Sequence, residues 1–168
     1  MKPFSFLLLQ HISHKMYRRI PKIISMSQYI LKFDGCSKGN PGHSGAGAVL
    51  YKDNVEIWTG SKYLGNNKTN NQAEYSALIL GLLHAREIRL KELLVCGDSM
   101  IVIKQMLKEY LVKNENIIEL NKEALEIAKC IDYIRFEHIY REQNERADKL
   151  ANLSIINHYK NVILKTKN

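Results

Sequence analysis

Apolar and polar positions alternate regularly only from residue 28 onward. Tyr29, Leu31 and Phe33 alternate with Ile30, Lys32 and Asp34, a period of two that predicts a strand ending at an acid. Gly35, Gly39, Pro41, Gly42, Gly45 and Gly47 then crowd a predicted turn before Ala48-Val49-Leu50-Tyr51. After Asp53-Asn54, Val55 to Leu64 reads as a third strand, and short connections make the three an antiparallel meander. The period then lengthens. Thr69-Asn70-Asn71-Gln72 has the form of a capping box, with Thr at the cap and Gln three residues on. It predicts a helix of about 18 residues carrying Ala73, Ala77 and Leu80.

Leu93-Leu94-Val95-Cys96 is short and wholly apolar, as a buried interior strand requires, and it stops at Gly97-Asp98. Ser99 is placed to cap a helix reaching about Tyr110, and Asn114 to open another with Ile117, Leu120, Ala124, Ile127, Ala128 and Ile131 on one stripe. Tyr133 to Tyr140 reads as a fifth strand, and Asn144 onward as a closing helix with Ala147, Leu150, Ala151 and Ile155. The predicted order βββαβααβα belongs to the α/β class, a five-stranded mixed sheet flanked by helices.

A chain of 168 residues favours one domain. With 45% hydrophobic and 25% charged residues it is too apolar for a disordered chain. The longest early apolar run, Phe4 to Leu9 broken by Ser5, is far short of the roughly 20 residues of a spanning helix. Cys36, Cys96 and Cys130 lie far apart and are odd in number, which argues against a disulfide framework or zinc site and for a reducing compartment, cytoplasm or nucleus. The net charge of +8 is unevenly spread. Lys2, Lys15, Arg18, Arg19 and Lys22 precede residue 28 with no acid among them. Residues 1–27 are therefore expected as a basic extension, disordered or serving mitochondrial targeting. Residues 28–156 are expected to form the folded domain and 157–168 a basic tail.

Four acids occupy telling places. Asp34 ends the first strand, Glu74 lies early in the first helix, Asp98 ends the fourth strand, and Asp148 lies near the start of the last helix. Strand ends and adjoining helix starts are where mixed α/β sheets put their sites. If the first and fourth strands are neighbours, Asp34 and Asp98 sit side by side, a repulsive arrangement stabilised by cations. Mg²⁺, a hard ion that takes carboxylate oxygens and keeps waters for a phosphate substrate, fits best, with Mn²⁺ as a substitute. Acids at helix starts also complement the helix dipole, which accounts for Glu74 or Asp148 singly but not for two strand-terminal aspartates.

Four blocks carry a resemblance: Asp34-Gly-Cys-Ser-Lys-Gly-Asn-Pro-Gly42, Thr69-Asn-Asn-Gln-Ala-Glu-Tyr75, Cys96-Gly-Asp-Ser99 and Asn144-Glu-Arg-Ala-Asp-Lys-Leu-Ala151. In this order they resemble the active-site blocks of type 1 ribonuclease H, over roughly residues 28–156. The resemblance implies the ribonuclease H-like sheet and two-metal hydrolysis of the RNA strand of RNA–DNA hybrids, giving 5′-phosphate products. It implies Asp34, Glu74, Asp98 and Asp148 as ligands of two Mg²⁺ ions. It matches Asn40, Asn70 and Asn71 to amides facing the hybrid's minor groove, where 2′-hydroxyls distinguish RNA from DNA. Thr69 matches a residue that helps to hold a DNA phosphate, and Gly35 and Ser99 complete the candidate substrate-contacting set.

The loop before the last helix, Tyr140-Arg-Glu-Gln-Asn144, lacks the histidine of many family members and places Arg141 there, a candidate phosphate contact. The chain thus resembles the branch lacking that histidine, and the basic protrusion of some bacterial relatives is also missing. His138 falls with Ile134 and Phe136 on one strand face, a core or sheet-edge position. A monomer acting on an RNA–DNA hybrid is expected. The competing readings are a non-catalytic hybrid-binding module of the same fold and a nuclease acting mainly on double-stranded RNA.

Overall fold

The computed structural model describes residues 28–166; the expectations for residues 1–27 lie outside these. Five strands form one sheet: β1 (Tyr29–Lys38), β2 (Gly42–Lys52), β3 (Val55–Lys68), β4 (Glu92–Gly97) and β5 (Tyr133–His138). The helices are α1 (Asn70–Glu87), α2 (Met100–Met106), α3 (Glu115–Ala128) and α4 (Glu145–Thr166), with a 3-10 turn at Arg141–Gln143. The strand order is β3-β2-β1-β4-β5. β1, β2 and β3 are antiparallel, while β4 runs parallel to both β1 and β5. The α/β class, the mixed sheet and the meander are as the sequence predicts.

Alternation along β2 sends side chains to two layers. Ala46, Ala48 and Leu50 enter the main core with Leu31, Phe33, Leu78, Leu82 and Val95, over which α1 and α3 pack. Val49 faces the other way, onto Ala147 and Leu150 of α4. Here the sheet tolerates no side chain: a Cβ on Gly47 would lie 2.3 Å from the carbonyl oxygen of Ala147. Among the described residues no helix is long and apolar enough to cross a membrane.

Several boundaries differ from the sequence reading. The glycines expected in a turn lie largely within strands, because β1 continues to Lys38 and β2 begins at Gly42. β3 runs on to Lys68, its ladder with β2 absorbing register shifts near Ser44. α2 stops at Met106 rather than Tyr110; Lys108 turns to positive φ, and the N–H groups of Glu109 and Tyr110 both fold back on Lys104 O. Ser99 precedes α2 but its side chain makes no capping bond. β5 ends at His138, and the loop expected after it contains the 3-10 turn. Finally, residues 157–166 are helical, since α4 runs to Thr166 without a glycine or proline to stop it.

Candidate active site

The parallel pairing of β1 with β4 sets Phe33 opposite Gly97, so that Asp34, which lies inside β1 rather than at its end as expected, stands beside Asp98, just past β4. Glu74 reaches the same point from the first turns of α1. That helix starts at a complete capping box: Thr69 Oγ1 accepts from Gln72 N at 3.3 Å and Gln72 Oε1 accepts from Thr69 N at 2.9 Å. Gly35 permits the approach. A Cβ there would lie 2.1 Å from the main chain of Ala73 and Glu74, and its N–H donates to Glu74 Oε2 at 3.2 Å. Asp34, Glu74 and Asp98 thus bring carboxylate oxygens within 4.8 Å of one another.

Asp34 and Glu74 are buried, at 6% and 5% exposure. Burial, reinforced by the neighbouring charges of Asp98 and Asp148, pushes Asp34 up to about 7. Burial, and then the charge of Asp34, raises Glu74 well above the usual carboxylate range. Three acceptor groups facing one another without an intervening cation are costly. The donor set, all carboxylate oxygen, fits a hard divalent ion such as Mg²⁺, and Asp34, Glu74 and Asp98 are the residues placed to share it.

Asp148, from the first turn of α4, lines the same cleft of about 480 Å³ but stands outside that tight trio. Arg141 Nη2 donates to its Oδ1 at 3.3 Å, and Asn152 Nδ2 to its Oδ2 at 3.2 Å. Arg141 is 78% exposed and reaches over the cleft mouth. Asn70, Asn71, Gly35 and Ser99 line the cleft as well. Asn40 does not; its Oδ1 accepts from Asn70 N at 2.9 Å, joining the β1–β2 turn to the start of α1. Thr69 serves as the helix cap described above. His138 shares a half-buried face with Ile134 and Phe136 on the edge strand β5, and its Nε2 lies 3.2 Å from Asp98 O. Met100 and Ile101 add an exposed apolar rim. A hollow of about 730 Å³ opens at the opposite ends of the parallel strands, beside Gln28, Leu94 and Arg135, far along the strands from the acids.

One residue escaped the sequence reading. Asn144 is fully buried, and its Nδ2 donates at 2.8 Å to both Phe33 O and Asp98 Oδ1. In the sequence it reads only as a helix-opening asparagine.

Comparison with known proteins agrees with this geometry. Residues 32–154 match a family model described as reverse transcriptase-like. The chain is 37% identical over 124 residues to a bifunctional protein of Mycobacterium tuberculosis, covering 73% of this chain but 34% of that one. It therefore spans about a third of the length of the first curated relatives. It is 32% identical over 140 residues to a ribonuclease H of Pseudomonas putida, covering 73% of this chain and 89% of that protein. Among solved structures it resembles LC11-RNase H1, isolated from compost, in complex with an RNA/DNA hybrid. There the TM-score is 0.74 and the identity 33%, over 79% of this chain and 99% of the other. With its sheet order, its acid cluster and these relatives, the chain belongs to the ribonuclease H family.

Proposed function

We propose that this protein is a metal-dependent endonuclease that hydrolyses the RNA strand of RNA–DNA hybrids, leaving 5′-phosphate ends. The observation that carries the reading is the trio Asp34, Glu74 and Asp98 in a cleft that Asn70 and Asn71, from the first turn of α1, also line. Three buried or half-buried carboxylates are a poor structural solution and a good cation site. The hybrid bound to LC11-RNase H1 supports the choice of substrate.

In this reading Asp34, Glu74, Asp98 and Asp148 hold two Mg²⁺ ions, with Mn²⁺ as a substitute. Bound there, the ions supply an activated water and charge stabilisation at the departing 3′ oxygen. The protein's own groups do the rest. Asn70 and Asn71, each able to donate and accept, meet ribose 2′-hydroxyls and base edges in the minor groove. Asn40 fixes Asn70 by holding its N–H. Gly35 and Ser99, which line the cleft, complete the substrate-contacting set, and Thr69 keeps its backbone turn beside a DNA-strand phosphate. Arg141, exposed beside Asp148, is placed to meet the scissile phosphate. We further propose that the protein works as a monomer in a reducing compartment, supported by three free thiols at Cys36, Cys96 and Cys130.

The test is cleavage of end-labelled hybrid, RNA duplex and DNA duplex with Mg²⁺, Mn²⁺ or EDTA, beside Asp98→Asn. Cation-dependent cutting confined to the RNA strand of the hybrid, and lost in the variant, is expected. Binding without cutting under both cations would leave a hybrid-binding module instead, and faster cutting of RNA duplex would reassign the substrate.

A further inference from the structure

Asn144 touches the elements that carry three of the four acids. Its Nδ2 donates at 2.8 Å to Phe33 O, the residue before Asp34 on β1. The same nitrogen donates at 2.8 Å to Asp98 Oδ1, at the end of β4. Its main-chain oxygen accepts from Ala147 N at 3.0 Å and Asp148 N at 3.1 Å, opening the helix that carries Asp148. The side chain is fully buried, and its Oδ1 has no hydrogen-bond partner among the described residues. An asparagine kept only to cap a helix would sit at the surface with its side-chain oxygen engaged; here the oxygen is idle and the nitrogen serves two other elements.

The electrostatics explain why such a donor is useful. Asp34 and Asp98 repel each other when ionised, and half-buried Asp98 has solvent to swing toward. A donor on Asp98 Oδ1 opposes that swing, and by gripping Phe33 O it ties the carboxylate to the strand that carries Asp34. We propose that Asn144 is a positioning residue that holds Asp98 beside Asp34 for cation binding. The inference rests on the reading of the acids as a cation site.

The molecule contains its own control. Lys32 Nζ donates to Gln143 O at 2.7 Å and so pins the same turn without touching an acid. Asn144→Ser and Lys32→Met are compared with the parent by Mg²⁺ titration of thermal unfolding without substrate, and by hydrolysis of a labelled hybrid. In Asn144→Ser the half-saturating Mg²⁺ is expected to rise, and kcat to fall, by about 10-fold or more, with the hybrid KM within about twofold. Lys32→Met is expected to lower Tm but to keep the parent's half-saturating Mg²⁺. Equal Mg²⁺ affinity in Asn144→Ser and parent, whatever the Tm, would overturn the proposal, as would an equal loss in Lys32→Met. Should Asn144→Ser not fold, the parent's Asn144 side-chain amide NMR signal decides: it is expected to move with Mg²⁺ occupancy, and a signal unmoved to saturation overturns the idea. A parent whose Tm does not respond to Mg²⁺ defeats the cation-site reading itself, and this one with it.

Discussion

Two buried polar clusters begin at adjacent residues of α1 and could hardly differ more. Tyr75 is fully buried; its hydroxyl donates to Gln105 Oε1 at 2.9 Å and accepts from Asn121 Nδ2 at 3.0 Å. Donor meets acceptor there, and three helices are locked together by a network complete in itself. One residue earlier, Glu74 points at Asp34 and Asp98, acceptor against acceptor. The first cluster stabilises the fold. The second is tolerated by a fold that is stable for other reasons, and it becomes favourable only with a cation. Local inconsistency within a consistent structure is where function is to be sought.

The contrast is broken most sharply by Asp34→Asn or Asp98→Asn. Hydrolysis of the hybrid should fall by at least about 100-fold, while urea unfolding of the cation-free protein shows a gain in stability, because a neutral amide relieves the repulsion. A variant losing both activity and cation-free stability would place these acids with the Tyr75 network instead.

The next effect is a pH dependence. Asp34 titrates at about 7 in the fold against 3.8 for an unperturbed side chain. Between these values the native state keeps a proton that the unfolded chain has lost, so cation-free stability declines as pH rises from about 4 to about 7. Glu74, also raised, acts in the same sense. Added Mg²⁺ should therefore stabilise by a few kcal/mol more at pH 7.5 than at pH 5, measured by urea unfolding with Mg²⁺ or EDTA; equal gains at both pH values would refute the assigned burden. Tyr75→Phe removes the hydroxyl that Gln105 and Asn121 share, and should cost about 1–3 kcal/mol in the same assay with Mg²⁺ affinity unchanged. The smallest effect belongs to Arg141→Ala. Exposed and screened, Arg141 should change the hybrid KM only about two- to fivefold, the gap closing as salt is raised in steady-state assays.

What could be read from the sequence was what is local. The β1 alternation, the Thr69–Gln72 box and the Asn114 cap each fit within one element and reappear in the structure. The site trio was also legible, because Asp98 follows β4, Glu74 lies early in α1 and the pairing of β1 with β4 brings in Asp34, although Asp34 lies inside β1 rather than at its end. Asn144 was not: its partners Phe33 and Asp98 lie 111 and 46 residues away, and no spacing rule links them. The length of α4 was hidden for another reason. Beyond Ile155 its side chains are mostly exposed, so no buried stripe marks it; His158 and Tyr159 pack on Tyr63 and His43 of the sheet, contacts that no spacing in the sequence announces.

The pairing of β1 with β4 and the place of α4 as the last of the described elements also bear on when the acid cluster becomes complete. Asp34, Glu74, Asp98 and Asp148 come from four elements separated in the sequence by much of the described chain. During synthesis the ribosome delivers them one at a time, and the buried amide of Asn144 reaches Asp98 only after β5 has been made. No fragment ending before α4 holds the whole constellation. A nascent chain of this fold thus lacks the complete cluster of four acids until the first turn of α4 has been made.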